Sequence, residues 1–209
     1  MALFIVFEGG EGCGKSTQTR ALQRRLSRDG FRAVMTREPG GTRLGERVRR
    51  HLKQSGETRI SPLAELFLIA TARAQLVSEV IRPELEKGKT VICDRFTPST
   101  LAYQGYGRGL DTDAIRHVND IATDGMSPDL IVLLDIPVEV GLSRKKSKDG
   151  DRFESESLSF HARVRRGYLD LAQADPGRWL VVDGRLPRKA IEKKIWDRVC
   201  ILLQREQDG

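Results

Sequence analysis

Residues 7–17 read FEGGEGCGKST, in which Gly9, Gly14, Lys15 and Ser16 match the spacing G-x-x-x-x-G-K-[ST]. Glycines at that spacing let backbone N–H groups approach phosphate oxygens closely, and a helix starting at the lysine adds positive potential. The lysine then reaches the outer phosphates and the serine hydroxyl holds Mg2+. The stretch Gly10, Glu11, Gly12, Cys13, Gly14, Lys15, Ser16 and Thr17 is therefore the expected cradle of a nucleoside triphosphate, with Lys15 acting on the transferred group. Cys13 fills an x position as a small side chain. The loop leaves open whether the terminal phosphate goes to water, to a protein or to a small molecule.

Two further sets of residues bear on that question. Asp94 and Asp135 each follow an apolar run, so either is a candidate for the acid that works with Ser16 on Mg2+. Arg37, Arg73 and Arg95 recur beside strand ends and on a long helix. Grouped around one cleft they would clamp a second phosphorylated molecule, because the guanidinium fork pairs bidentately with phosphate oxygens. No N-K-x-D segment is present, which argues against a guanine-reading switch protein.

The elements that must place these residues follow from the hydrophobic pattern. Continuous apolar runs at residues 3–7, 32–36, 90–93, 129–134 and 179–182 read as buried strands. Helical patterns fall between them, at residues 15–30, 44–53, 62–87, 112–123, 137–146, 156–174 and 188–205. Alternation of such strands with helices predicts an α/β protein with a five-stranded parallel sheet covered on both faces. Ligands in such folds bind outside the carboxyl ends of the strands, and the glycine loop, Arg37–Glu38, Asp94–Arg95 and Asp135 all follow strand ends.

The 209-residue length, with 39% hydrophobic and 31% charged residues, suits a single globular domain. Three cysteines at positions 13, 93 and 200 make a poor disulfide framework and point to a reducing, cytoplasmic setting. No apolar run approaches the ~18 residues of a membrane span, and the N-terminal MALFIVFEGG reads as a strand rather than a signal peptide. The net charge of +7 implies anionic partners. Without a recognisable nucleic-acid-binding motif, nucleotides are expected and nucleic acid is not.

The pieces FEGGEGCGKST, TREPGGT (36–42), ARAQ (72–75), DRFTPSTLAYQGYGRG (94–109) and PDLIVLLDIPVEVGLSR (128–144), in this order, resemble the thymidylate kinases, P-loop kinases of nucleoside monophosphates. The resemblance implies the three-layer P-loop fold, a short lid at about residues 145–153, and the reaction ATP + dTMP → ADP + dTDP, with Mg2+ as cofactor and a homodimer as the assembly. It places Glu11, Arg37, Glu38, Pro39, Arg49, Ile69, Arg73, Arg95, Thr100, Tyr103 and Gln104 around dTMP. Glu11 and Glu38 would lie near sugar and metal, the three clamp arginines on the acceptor phosphate, and Thr100 and Gln104 at the thymine edge. Tyr103 would face the deoxyribose, and Pro39 is a candidate for a cis peptide bond. Arg144 falls on the ATP side. Lys15, Arg95 and Arg152 are the expected catalytic set, Arg152 as the lid arginine on the transition state. Such lids are basic, and here Arg144, Lys145, Lys146, Lys148 and Arg152 supply the charge. Ile69 stands where an aromatic usually stacks on thymine. Two other outcomes are compatible with the glycine loop: a kinase for another acceptor such as dUMP, or a nucleotide-binding regulatory module with no small acceptor.

Overall fold

The inner strands of the sheet alternate their side chains between two apolar layers, and this decides the architecture. In the computed structural model, residues 2–54, 59–144 and 152–205 are described, Arg205 without its side chain. In β1 (Phe4–Glu8), Phe4 and Val6 pack on one face with Leu76, Ile81 and Tyr168. Ile5 and Phe7 pack on the other face with Leu22, Leu26, Ile191 and Ile195. Full burial of a leucine or isoleucine contributes roughly 1.5–3 kcal/mol, so a strand buried on both faces belongs at the centre of the sheet.

The other strands are β2 (Ala33–Arg37), β3 (Thr90–Asp94), β4 (Leu130–Asp135) and β5 (Trp179–Asp183). All pair in parallel, in the order β2-β3-β1-β4-β5. The five expected strands are thus present, each shifted by a residue or so. Helices α1 (Lys15–Arg28) and α9 (Arg188–Arg205) contribute to the second layer, and α3 (Pro62–Leu76) and α8 (Leu158–Ala174) to the first. The order places β1, and so the loop that leaves it, between β3 and β4. Asp94 and Asp135 end those two strands on either side of the glycine loop.

The remaining helices are α2 (Arg43–Lys53), α4 (Arg82–Glu86), α5 (Thr97–Thr100), α6 (Thr112–Thr123) and α7 (Val138–Arg144). The expected long helix at 62–87 is one helical run with a π segment at Val77–Ile81, where the Arg82 N–H reaches the Val77 carbonyl. Pro83 lies two residues beyond its end, has no N–H to give to the preceding turn, and favours such a widened register. A second π segment, Leu101–Gly107, continues α5. The sequence pattern does not predict helix at 97–107, because Pro98, Gly105 and Gly107 are poor helix formers. Close packing on α8 makes it helical. A Cβ at Gly107 would lie 2.6 Å from the Phe160 ring, and one at Gly167 would lie 2.6 Å from the Tyr106 ring. Among the described residues no helix is long and apolar enough to cross a membrane. Lys145, Lys146 and Lys148, and most of the expected lid, lie outside the described residues.

Candidate active site

The loop between β1 and α1 is shaped by close backbone approaches. Gly12 has φ 65°, and a Cβ there would sit 2.0 Å from the Gly141 carbonyl oxygen of α7. Any side chain would push the loop off that helix. Lys15 opens α1 and is buried, its Nζ donating to the Gly9 and Gly10 carbonyls at 2.9 and 3.1 Å. The ammonium is thereby held across the loop, at the N-terminal and positive end of α1. Ser16 Oγ donates to Asp94 Oδ2 at 3.1 Å. Asp135, the alternative acid, is held by Arg165 through two bonds of 2.7 and 2.8 Å, which also raises the Arg165 pKa. The acid beside Ser16 is therefore Asp94.

From this loop a cavity of about 590 Å³ runs over the carboxyl ends of β1, β2 and β3. Its far wall carries two arginines with different surroundings. Arg95 adopts φ 76°. Its Nη2 donates to Glu11 Oε1 at 2.8 Å and Tyr103 Oη at 3.0 Å, and its Nη1 to Tyr168 Oη at 2.9 Å and Ser99 Oγ at 3.2 Å. Neighbouring Tyr103, Tyr168, Glu11 and Glu8 outweigh the cost of burial and hold its pKa well up. Arg73 is 1% exposed. Its Nε and Nη2 both reach Glu38 Oε2, at 2.8 and 2.6 Å. Nη2 also donates to Thr100 Oγ1 at 2.8 Å, and Nη1 to Asn119 Oδ1 at 2.5 Å. Burial pushes the Glu38 carboxyl up, and the Arg73 charge opposes it. The second carboxylate oxygen, Glu38 Oε1, is buried without a hydrogen-bond partner. An acceptor left this way is costly unless a ligand donates to it.

A family model described as thymidylate kinase matches residues 7–195. The chain belongs to the thymidylate kinase family. It is 52% identical over 203 residues to a thymidylate kinase of Dehalococcoides mccartyi strain BAV1, covering 97% of this chain and 98% of that protein. With the thymidylate kinase of Desulforudis audaxviator it shares 49% over 203 residues, covering 97% and 92%. The crystal structure of thymidylate kinase from Ehrlichia chaffeensis superimposes with a TM-score of 0.77 at 34% identity, covering 95% of this chain and 98% of that one.

Within this thymidylate kinase fold, every residue expected on the ATP or dTMP side lines the cavity except Gly10, which lies behind the loop beside a smaller void. Arg144 lines it and reaches the Gly184 carbonyl at 3.4 Å. Arg37 sits at the mouth, bonded to Glu46 at 2.9 Å and half exposed. Arg49 donates to the Pro39 carbonyl at 2.9 Å, and the Glu38–Pro39 bond is cis.

Two of the expected side chains have their guanidinium groups bonded within the protein. Arg73, expected on the acceptor phosphate, has its guanidinium committed to Glu38, Thr100 and Asn119. Arg152, expected on the transition state, is absent from the cavity lining. Its Nη2 pairs with Glu65 Oε2 and its Nε donates to the Leu52 carbonyl at 3.2 Å. Glu65 is fully buried and also receives Gln104 Nε2 at 2.7 Å and Arg108 Nε at 3.2 Å. A desolvated carboxylate binds guanidinium strongly, which explains why Arg152 lies behind the wall.

Leu52, Lys53, Ser99 and Phe153 line the cavity without having been expected to contact a ligand. Phe153 packs in the apolar cluster of Val48, Leu52, Ile69 and Ala72, with its ring centroid 5.8 Å from that of Tyr103. Its sequence neighbours are charged and turn-rich, so no periodic pattern marks it as a wall residue.

Proposed function

We propose that the cavity holds ATP and dTMP end to end and transfers the γ-phosphoryl group, giving ADP and dTDP. The observation that carries this is the meeting of the glycine loop, with Lys15 held across it, and a second wall of Arg37, Arg49 and Arg95 in one cavity. ATP alone accounts for the glycine loop and not for a second cationic wall in the same cavity.

The acceptor is a phosphate oxyanion and needs no strong general base, so catalysis is positioning and charge neutralisation. Lys15 serves the transferred group. Arg95 binds the acceptor phosphate. Glu11 Oε1 accepts from both Arg95 Nη2 and Tyr103 Oη, as a phosphate oxygen would, and dTMP takes over those donors. Arg73 serves the base end, with Thr100 and Gln104, rather than the phosphate. Its five N–H groups make four bonds and leave one on Nη1. Glu38 Oε1 receives a donor from the acceptor's sugar. Ser16 and Asp94 fit Mg2+: two hard oxygen groups meet beside the loop, too few for an all-protein cage, as suits an ion that keeps water and phosphate ligands. When bound, Mg2+ supplies charge neutralisation on the phosphates.

Arg152 acts on the phosphoryl in flight after exchanging Glu65 for it. Arg152→Ala is then expected to lower kcat by at least tenfold while leaving both KM values within about twofold, because such arginines act mainly in the transition state. A raised KM for dTMP at unchanged kcat would leave Arg152 as a wall residue. Phe153 provides the aromatic surface for thymine that Ile69 lacks. Phe153→Ala should raise the KM for dTMP about tenfold, since base–aromatic stacking is worth about 1–3 kcal/mol, and leave the KM for ATP unchanged.

The deciding assay is ADP formation with dTMP, dUMP, dCMP and thymidine as separate acceptors. The expected order has dTMP first and thymidine inert. ADP formation that ignores every monophosphate would instead favour a regulatory module. Leu63 and Phe67, both 53% exposed on α3, support a homodimer with this helix in the interface, and Phe67→Glu should yield monomers on light scattering. The three free cysteines support a cytoplasmic location.

A further inference from the structure

The end of β1 carries a carboxylate that neither lines the cavity nor takes part in the chemistry above. Glu8 is 0% exposed. Its Oε1 accepts from the Phe96 and Ser99 N–H groups at 2.9 and 3.3 Å, and its Oε2 from Ser99 Oγ at 2.6 Å and Tyr168 Oη at 2.8 Å. Every one of these partners can donate, which is the bonding pattern of an ionised carboxylate. Burial pushes the Glu8 carboxyl up, and the charge of Arg95 opposes it.

The two hydroxyls link Glu8 to the acceptor wall. Both lie within reach of Glu8 Oε2, of each other at 2.8 Å, where either could donate, and of Arg95 Nη1, at 3.2 Å from Ser99 and 2.9 Å from Tyr168; with its hydrogen turned to Glu8, each presents a lone pair to Nη1. Otherwise the Ser99 hydroxyl hydrogen rotates and the Tyr168 one takes either in-plane position, and each could point at the guanidinium. The same carboxylate bonds the N–H groups of Phe96 and Ser99, which fixes the chain just after the left-handed Arg95 backbone. A left-handed backbone is uncommon for a residue with a side chain.

We propose that Glu8 and Tyr168 are positioning residues for Arg95: Glu8 turns two hydroxyl lone pairs onto Nη1, and the array aims the Nη2 edge of the guanidinium at the acceptor phosphate. The proposal rests on the assignment of Arg95 to that phosphate. Tyr168 lies on α8, so it also ties the helix after the expected lid to the phosphate clamp.

The test is steady-state kinetics on the full chain carrying Tyr168→Phe, Glu8→Gln, both together, or Arg95→Lys, with melting temperatures measured alongside. Tyr168→Phe removes one oxygen from a packed ring and keeps the fold testable if Glu8→Gln misfolds. Each single variant should raise the KM for dTMP about tenfold, as loss of hydrogen bonds to a charged group does, with the KM for ATP within about twofold. The double variant should resemble the worse single, because both act through one array. An unchanged KM for dTMP in folded Tyr168→Phe overturns the proposal. So do equal losses for both substrates that track a lowered melting temperature. Arg95→Lys with normal dTMP use removes the premise itself. Arg95→Lys impaired beside a normal Tyr168→Phe overturns the positioning role alone.

Discussion

Arg95→Ala is expected to lower kcat/KM for dTMP by about 10²–10³, the range seen when a preorganised donor to developing charge is lost. Arg95 is where the groups of the acceptor wall converge. Glu11, Tyr103, Tyr168 and Ser99 all meet its guanidinium. Alanine removes the donors to the phosphate and leaves Glu8 and Glu11 without their shared cation. Lysine retains the charge and loses the planar fork, so Arg95→Lys should fall between wild type and alanine. The measurement is initial velocity against dTMP at saturating ATP, followed by the reverse arrangement. A loss confined to the KM for ATP would move Arg95 to the donor side.

Arg73→Ala is expected to act first on stability. The pair with Glu38 is 1% and 3% exposed at its two side chains. Removing one partner of a buried pair costs about 3–5 kcal/mol, because the other charge is left in a poor medium. In a domain of this size each kcal/mol shifts the melting temperature by about 2–4 °C, so a fall on the order of 10 °C is expected. Thermal or denaturant unfolding checks this, and an unchanged midpoint would refute it. The double variant Arg73→Met, Glu38→Leu should recover much of the loss, since apolar replacement of both partners is often neutral. Its dTMP use should stay impaired, which separates the two roles of Arg73. From the sequence alone the expectation differs, since an arginine beside a phosphate-binding loop reads as a free ligand.

Some parts of the protein were legible because the physics is local. The glycine loop needs only a dozen contiguous residues, and its close approaches and positive φ values can be made only by glycine at positions such as Gly12. The inner strands β1, β3 and β4 were legible because burial on both faces demands continuous apolar runs, whereas β2 at the sheet edge is half exposed. The segment at 97–107 was not, because its helix depends on Gly107 and Gly167 being packed against rings from the opposite element.

Residue types at strand ends decided that a triphosphate loop, a set of arginines and two carboxylates would gather at one edge of a parallel sheet. Only the tertiary structure decided which of them pair with each other. Glu65 holds Arg152 from 87 residues away, Glu38 holds Arg73 from 35 residues away, and Arg165 takes Asp135 while Asp94 meets Ser16. A charged side chain removed from water takes whichever counter-charge the fold brings within reach, and no local pattern records that choice.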